Sequence, residues 1–273
     1  MPGQNVLMDL GLRDRVYLVT GGSRGLGFAG AQALVGEGAR VVVASPHEAT
    51  ASAAVDHLAQ SGTPANTSTW VLADNADPAT PGRLIAAAIE TYGRIDGALV
   101  SVGGTPTGSV ASTTDDAWRA AFESVFLGAI RLGRVLAAEL GSDETSFPGG
   151  TGGSLVFVLA SSVRAPLPDL AISNGLFPGL AGVVKTLAGE YGPAGVRING
   201  LLPVRIATDR VREIDALEGD PEDVRARQSE HIPLRRYGEP EEFGRVAAFL
   251  LSPAASYVTG AMIPVDGGAI RSI

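Results

Sequence analysis

The chain contains no cysteine, which excludes disulfides, thiolate nucleophiles and cysteine-ligated metals. Its three histidines, His47, His57 and His231, are scattered with no metal-ligand spacing such as HExxH, so no metal site is expected. Positive charge is scarce. The 21 Lys+Arg stand against 29 Asp+Glu, a formal net charge of -8, and no basic run could follow a phosphate backbone. Nucleic acid is therefore not expected as a partner. Lysine is scarcer still, Lys185 being the sole example. No apolar run approaches the roughly 20 residues of a membrane span. The amino-terminal stretch MPGQNVLMDLGLRDRVYLV carries charge where a signal peptide needs an apolar segment. The expectation is a soluble cytoplasmic protein with no membrane partner.

What is present is an α/β pattern. The 273 residues, 45% of them hydrophobic, suffice for one large domain with a buried core. Short apolar segments at 16–20, 40–45, 69–74, 97–102, 154–160, 197–203 and 262–266 read as strands. Helical segments fall between them, among them 27–39, 81–93, 115–140 and 241–253. The alternation predicts a single doubly wound Rossmann domain over 1–273, with a seven-stranded parallel sheet and helices on both faces. No repeat or linker divides the chain. Two connections stand out: the Gly-rich segment 142–153, and the acidic segment at about 205–233, long enough to form a lid-like insertion of one or two helices.

The first strand runs into TGGSRGLG (20–27) and then a helix. Gly21, Gly25 and Gly27 would let the backbone turn sharply and approach a pyrophosphate, whose charge then meets the helix N-terminus. A glycine pattern alone is weak, but the strand before it and the helix after it supply the required context. An NAD site usually places an acidic residue about 20 positions further on, to hold the ribose 2′-hydroxyl. Here that position reads Ser45, Pro46, His47. No carboxylate would repel a 2′-phosphate, and Arg24 in the turn could neutralise one, which favours NADP, with NAD still possible.

These residues resemble the short-chain dehydrogenase/reductase family, in particular its 3-oxoacyl reductase-like branch. TGGSRGLG matches that family's TGxxxGxG turn. The resemblance continues through Asp74, GRIDGALV (93–100), SSV (161–163), GVRINGLLP (195–203), IPLRRYGEPEEFG (232–244) and YVTGAMIPVDGG (257–268). It implies hydride transfer between NAD(P) and a small carbonyl or alcohol, and a homo-oligomer, tetramer or dimer. It places the cofactor against Gly21, Ser23, Arg24, Gly25, Leu26, Gly27 and Ser45. Asp74, Asn75 and Gly103 would follow after the third and fourth strands, and Pro203, Ile206 and Thr208 after the sixth.

The family's catalytic groups carry over incompletely. Ser162 matches the serine that orients the carbonyl, but Ser173 stands in place of the tyrosine acid and Phe177 in place of the lysine four residues later. Val125 occupies the position of the asparagine that supports a water relay. The lone Lys185 has Ala181 four residues before it, so no Tyr-x-x-x-Lys exists in the chain. An aliphatic hydroxyl does not titrate near neutrality, so Ser173 can donate a hydrogen bond but is a poor general acid. Pro178 predicts that the helix here begins late or kinks, with Ser173 or Asn174 as its cap. Ser162, Ser173 and Asn174 remain as polar candidates for catalysis, and Arg164, Asp169 and Arg205 as candidates for holding substrate. Three functions are compatible with this sequence: a reductase with an altered proton source; a non-redox enzyme, such as a dehydratase, isomerase or cyclase, using Asp169 or Ser162; and a catalytically degenerate nucleotide-binding or scaffold subunit.

Overall fold

The computed structural model describes residues 9–60, 67–142 and 152–272. Seven strands, β1 (Val16–Thr20), β2 (Arg40–Ser45), β3 (Ser68–Leu72), β4 (Gly97–Ser101), β5 (Ser154–Val158), β6 (Arg197–Pro203) and β7 (Met262–Val265), form one sheet. They lie in the order β3-β2-β1-β4-β5-β6-β7, and every pairing is parallel. The helices between them are α1 (Gly25–Gly36), α2 (Glu48–Gln60), α3 (Thr80–Tyr92), α4 (Asp115–Ala121), α5 (Gly128–Ser142) and α6 (Ala171–Tyr191). After β6 come α7 (Asp209–Ala216), α8 (Pro221–Ser229) and α9 (Pro240–Leu251). No helix among the described residues is long and apolar enough to cross a membrane. The Gly-rich segment 142–153 lies almost wholly outside the described residues.

The strands are apolar on both faces because both faces are covered. Along β1, Val16 and Leu18 join one core with Leu84 of α3, Leu132 of α5 and Val184 of α6. Their neighbours Tyr17 and Val19 join the other, with Leu34 of α1 and Phe243 of α9. The same alternation recurs in β2, β4 and β5, where Val42, Val100 and Phe157 face one way and Val43, Leu99 and Val156 the other.

Two elements differ from the sequence expectation. The segment 115–140 does not run as one regular helix: a π-helical turn, Phe122–Leu127, separates α4 from α5. Ser124 Oγ donates back to the Ala120 carbonyl at 2.9 Å, and Arg131 Nη1 ties this turn to the end of β3 through the Ala76 carbonyl at 3.2 Å and Glu123 at 2.6 Å. The other difference is a correction. Helix α6 neither starts late nor breaks at Pro178; it runs from Ala171 to Tyr191, with neither Ser173 nor Asn174 as its cap. The proline ring costs the Asn174 carbonyl its usual partner, but the opposite face of the helix buries Ile172, Leu176, Phe177, Leu180, Ala181, Val184 and Leu187. Roughly 1.5–3 kcal/mol per large apolar side chain outweighs a penalty of about 3 kcal/mol for one proline.

Candidate active site

The strand order reverses between β1 and β4, and in parallel sheets of this type a crevice opens at such a point beyond the carboxyl ends of the strands. Here the two strand ends are locked together. Thr20 Oγ1 donates to the Ser101 carbonyl at 2.8 Å and accepts from the Ser101 amide at 2.9 Å. A cleft of about 590 Å³ begins at this junction.

One wall is the turn between β1 and α1, where Gly21, Ser23, Arg24, Gly25, Leu26 and Gly27 all line the cleft. Gly21 is left-handed (φ 57°), and a Cβ on Gly27 would collide with the Gly21 carbonyl, so turn and helix meet closely only with glycine in both places. This is the cradle that a pyrophosphate requires, with the N-terminus of α1 beneath it. Further along, Ser45, Asp74, Asn75 and Gly103 line the cleft from β2, β3 and β4. Pro203, Arg205, Ile206 and Thr208 line it from the end of β6. Every residue assigned to the cofactor from sequence is thus brought to one cavity.

At the end of β2 the cleft is hydroxyl-rich. Ser45 Oγ accepts from Ser23 Oγ at 3.2 Å and from the His47 amide at 3.2 Å, and lies 3.1 Å from Thr50 Oγ1. Thr50 was not legible as a site residue, because α2 lacked a clear apolar period and its first turn carried no motif. Asp74 spends its carboxylate on the Ala76 amide at 2.9 Å, which forms the turn after β3.

The residues that the sequence offered as catalytic candidates are arranged differently. Ser162, in a short 3-10 turn after β5, and Ser173, on α6, have their hydroxyl oxygens 2.9 Å apart, and each is 3% exposed. Neither lines the cleft. Phe177 and Val125, the positions that the resemblance assigned to the family's lysine and asparagine, are buried in the same apolar core. Asn174 is used structurally: its amide accepts from the Leu167 amide at 2.9 Å and donates to the Leu167 carbonyl at 2.7 Å.

The substrate candidates separate. Arg164 and Asp169 are exposed and off the cleft wall, and Asp169 is in left-handed backbone geometry (φ 53°) with its carbonyl accepting from Gly108. Arg205 reaches the wall, but its guanidinium pairs with buried Asp215 and with Glu218 at 3.7 Å. Tyr237 donates to the second Asp215 oxygen at 3.0 Å, and its phenol is pushed up to about 12, chiefly by burial, opposed by Arg205 and reinforced by Asp215. The segment 205–233 forms α7 and α8, and from α7 Arg210 and Glu213 enter the cleft wall. Sequence alone did not single these two out, since a short polar helix carries no motif. Among the described residues no group of histidines and carboxylates could hold a metal.

The order of this sheet and the glycine turn at its switch point define a doubly wound α/β protein of the dinucleotide-binding type. Comparison with known proteins narrows the class. A family model described as enoyl-(acyl carrier protein) reductase matches residues 21–269. Levodione reductase of Leifsonia aquatica is 34% identical over 263 residues, 93% of this chain and 94% of that protein. Among solved structures, a short-chain oxidoreductase from Pseudomonas aeruginosa PAO1, described as containing an atypical catalytic centre, superimposes with TM-score 0.86 at 28% identity. The match covers 96% of this chain and all of the other. L-sorbose reductase of Gluconobacter frateurii, solved with NADPH and L-sorbose, gives 0.86 at 26% identity over 97% of this chain and all of the other. The chain belongs to the short-chain dehydrogenase/reductase family of oxidoreductases, whose members bind NAD(P).

Proposed function

We propose that this chain is an NADP(H)-dependent oxidoreductase acting on a small carbonyl or alcohol, with water or a polar neighbour replacing the phenol as proton source. The observation that carries the cofactor choice is the hydroxyl cluster of Ser23, Ser45 and Thr50 beside Arg24, with no cleft-lining carboxylate at the end of β2. Such a site favours a 2′-phosphate over a free ribose hydroxyl. The NADPH complex of L-sorbose reductase is in keeping with this choice, and the P. aeruginosa protein, described as containing an atypical catalytic centre, is in keeping with an altered proton source.

When bound, the cofactor would supply or accept a hydride. The glycine turn would hold the pyrophosphate, and Ser162, which lies off the cleft wall against Ser173, would have to turn from Ser173 toward the cleft to orient a carbonyl. No side chain at the family's acid position titrates near neutrality, so the rate of carbonyl reduction is expected to fall about 10²- to 10⁴-fold below that of a tyrosine-bearing relative. The family resemblance also favours a homo-oligomer, tetramer or dimer, with a small-molecule substrate. The test is an equilibrium titration with NADPH and NADH, followed by single-turnover reaction with activated carbonyls. NADPH should bind at least about ten-fold more tightly, and Arg24→Ala should erase the difference. Equal affinity for the two cofactors would overturn the cofactor assignment.

A second reading is favoured by one feature: the Ser162 and Ser173 hydroxyls bond each other, off the cleft wall. This suits a degenerate subunit that binds the nucleotide without turning over. NADPH that binds but is never oxidised by any carbonyl in the single-turnover experiment would select it.

A further inference from the structure

The polar groups of the cleft wall are open to a ligand at one end and already bonded at the other. At the end shaped by β1 and β2, Arg24 and His47 line the wall and are exposed, and among the described residues neither side chain has a hydrogen-bond or ion-pair partner. The Ser23 and Thr50 hydroxyls converge there on Ser45, and each can turn its proton toward an anion by rotating about one bond. Helix α1 starts after Arg24 with no side-chain cap, so its first-turn amides are left for an anionic group.

At the end shaped by β6 and α7 the corresponding groups are in use. Helix α7 is capped by Thr208, whose hydroxyl accepts from the Val211 amide at 3.4 Å. The Ile206 carbonyl accepts from the Thr208 amide, and the Ala207 amide donates to the Gly238 carbonyl, each at 2.8 Å. Of the charged side chains on this wall, Arg205 pairs with Asp215 and Asp209 lies 3.6 Å from Arg212. Arg210 donates to the Thr105 carbonyl at 2.9 Å and pairs with Glu213 at 3.5 Å. Between the two ends the wall is Val158, Leu159 and Pro203, and α6, the next helix, adds no residue to it.

We infer that the adenosine 2′-phosphate and the pyrophosphate carry the affinity of this cleft, and that the nicotinamide end of a bound cofactor is held loosely. A new bond gains little where it must replace one that the chain already makes, and gains most where a charged donor is unpartnered. The ligand class is thus an adenine nucleotide bearing a 2′-phosphate, with or without its nicotinamide. This rests on the NADP(H) reading under Proposed function and adds to it a reason for slow turnover: a ring without fixed partners is less often in a reactive orientation.

Calorimetric titration of the full chain compares NADPH with 2′-phospho-ADP-ribose, which has the same phosphates and both riboses but no nicotinamide. The two should bind within about five-fold of each other, and Arg24→Ala should weaken both by a like factor of about ten. Nicotinamide mononucleotide should not saturate the chain at about 1 mM, and the emission of bound NADPH should stay close to that of the free cofactor. A wider gap between NADPH and the fragment overturns the inference and leaves the NADP(H) assignment in place. So does a blue shift of NADPH emission on binding, the sign of a ring enclosed in an apolar site. Equal affinity for NADPH and NADH, or no binding of either, overturns the assignment and this inference with it.

Discussion

At the residue scale, the telling feature is how completely Val125, Ser162, Ser173 and Phe177, the positions that the resemblance aligned with the family's catalytic groups, are buried in the fold. A lysine at 177 would have to place its charge where Phe177 packs in the apolar core, and an asparagine at 125 would need polar partners at a position where Val125 is 3% exposed and joins the same core. The two remaining hydroxyls, Ser162 and Ser173, satisfy each other in a site that water scarcely reaches. That mutual dependence makes a quantitative prediction. Ser162→Ala leaves the buried Ser173 hydroxyl without this partner and should cost about 1–2 kcal/mol of stability, while Ser173→Ala leaves Ser162 its 3.3 Å bond to the Ser173 backbone carbonyl and should cost less. The double variant Ser162→Ala/Ser173→Ala orphans neither and should cost less than the sum by about 1 kcal/mol. Urea unfolding of the four proteins measures this coupling, and additive costs would show that the 2.9 Å approach carries no bond.

At the element scale, helix α6 shows where local rules yield to packing. Pro178 is exposed and cannot donate to the Asn174 carbonyl, yet the helix continues because its other face is core. Pro178→Ala should therefore stabilise the protein, by roughly 1–3 kcal/mol after allowing for the greater freedom of the unfolded chain. A thermal midpoint that is unchanged or lower would mean that the proline is matched to a distortion of this helix. The same competition explains what could be read in advance. Strands were legible to within two residues at each end, because a sheet covered on both faces demands unbroken apolar runs such as VYLVT and RVVVAS. The fate of Pro178 was not legible, because local propensity does not register the burial of Leu180 or Val184. The π-helical turn was also hidden, since FESVFL has ordinary helical residues and its geometry is set by contacts with the turn after β3. The cofactor-side residues came together because glycine spacing is a backbone requirement written directly in the sequence. Arg210 stayed unseen because its partner, the Thr105 carbonyl, is a backbone atom 105 positions away.

At the scale of the whole molecule, a few buried polar groups join distant parts of the chain, and two of them set its response to alkali. Tyr17 on β1 donates to the Leu251 carbonyl at the end of α9, where Arg197 of β6 also gathers the Leu250 and Ser252 carbonyls at 2.8 and 2.9 Å. Burial raises the Tyr17 phenol well above its ordinary value and lowers the Arg197 guanidinium from its own. Tyr237, which joins the α8–α9 connection to Asp215, is pushed up to about 12 from 10.0, again chiefly by burial. A phenol whose proton is held more tightly in the folded state than in the unfolded one contributes stability that is complete below pH 10. Above that, the unfolded chain loses its proton first, so the contribution declines as pH rises through the folded value. The thermal midpoint should therefore stay level through pH 9 and fall between pH 10 and about 12. Tyr237→Phe keeps the ring beneath Arg225 but removes the titrating group and its bond to Asp215. Its midpoint should be lower than the parent's at pH 8 and should decline less steeply above pH 10, with Tyr17 supplying the remaining slope. Parallel curves for the two proteins across that range would show that Tyr237 does not couple folding to pH.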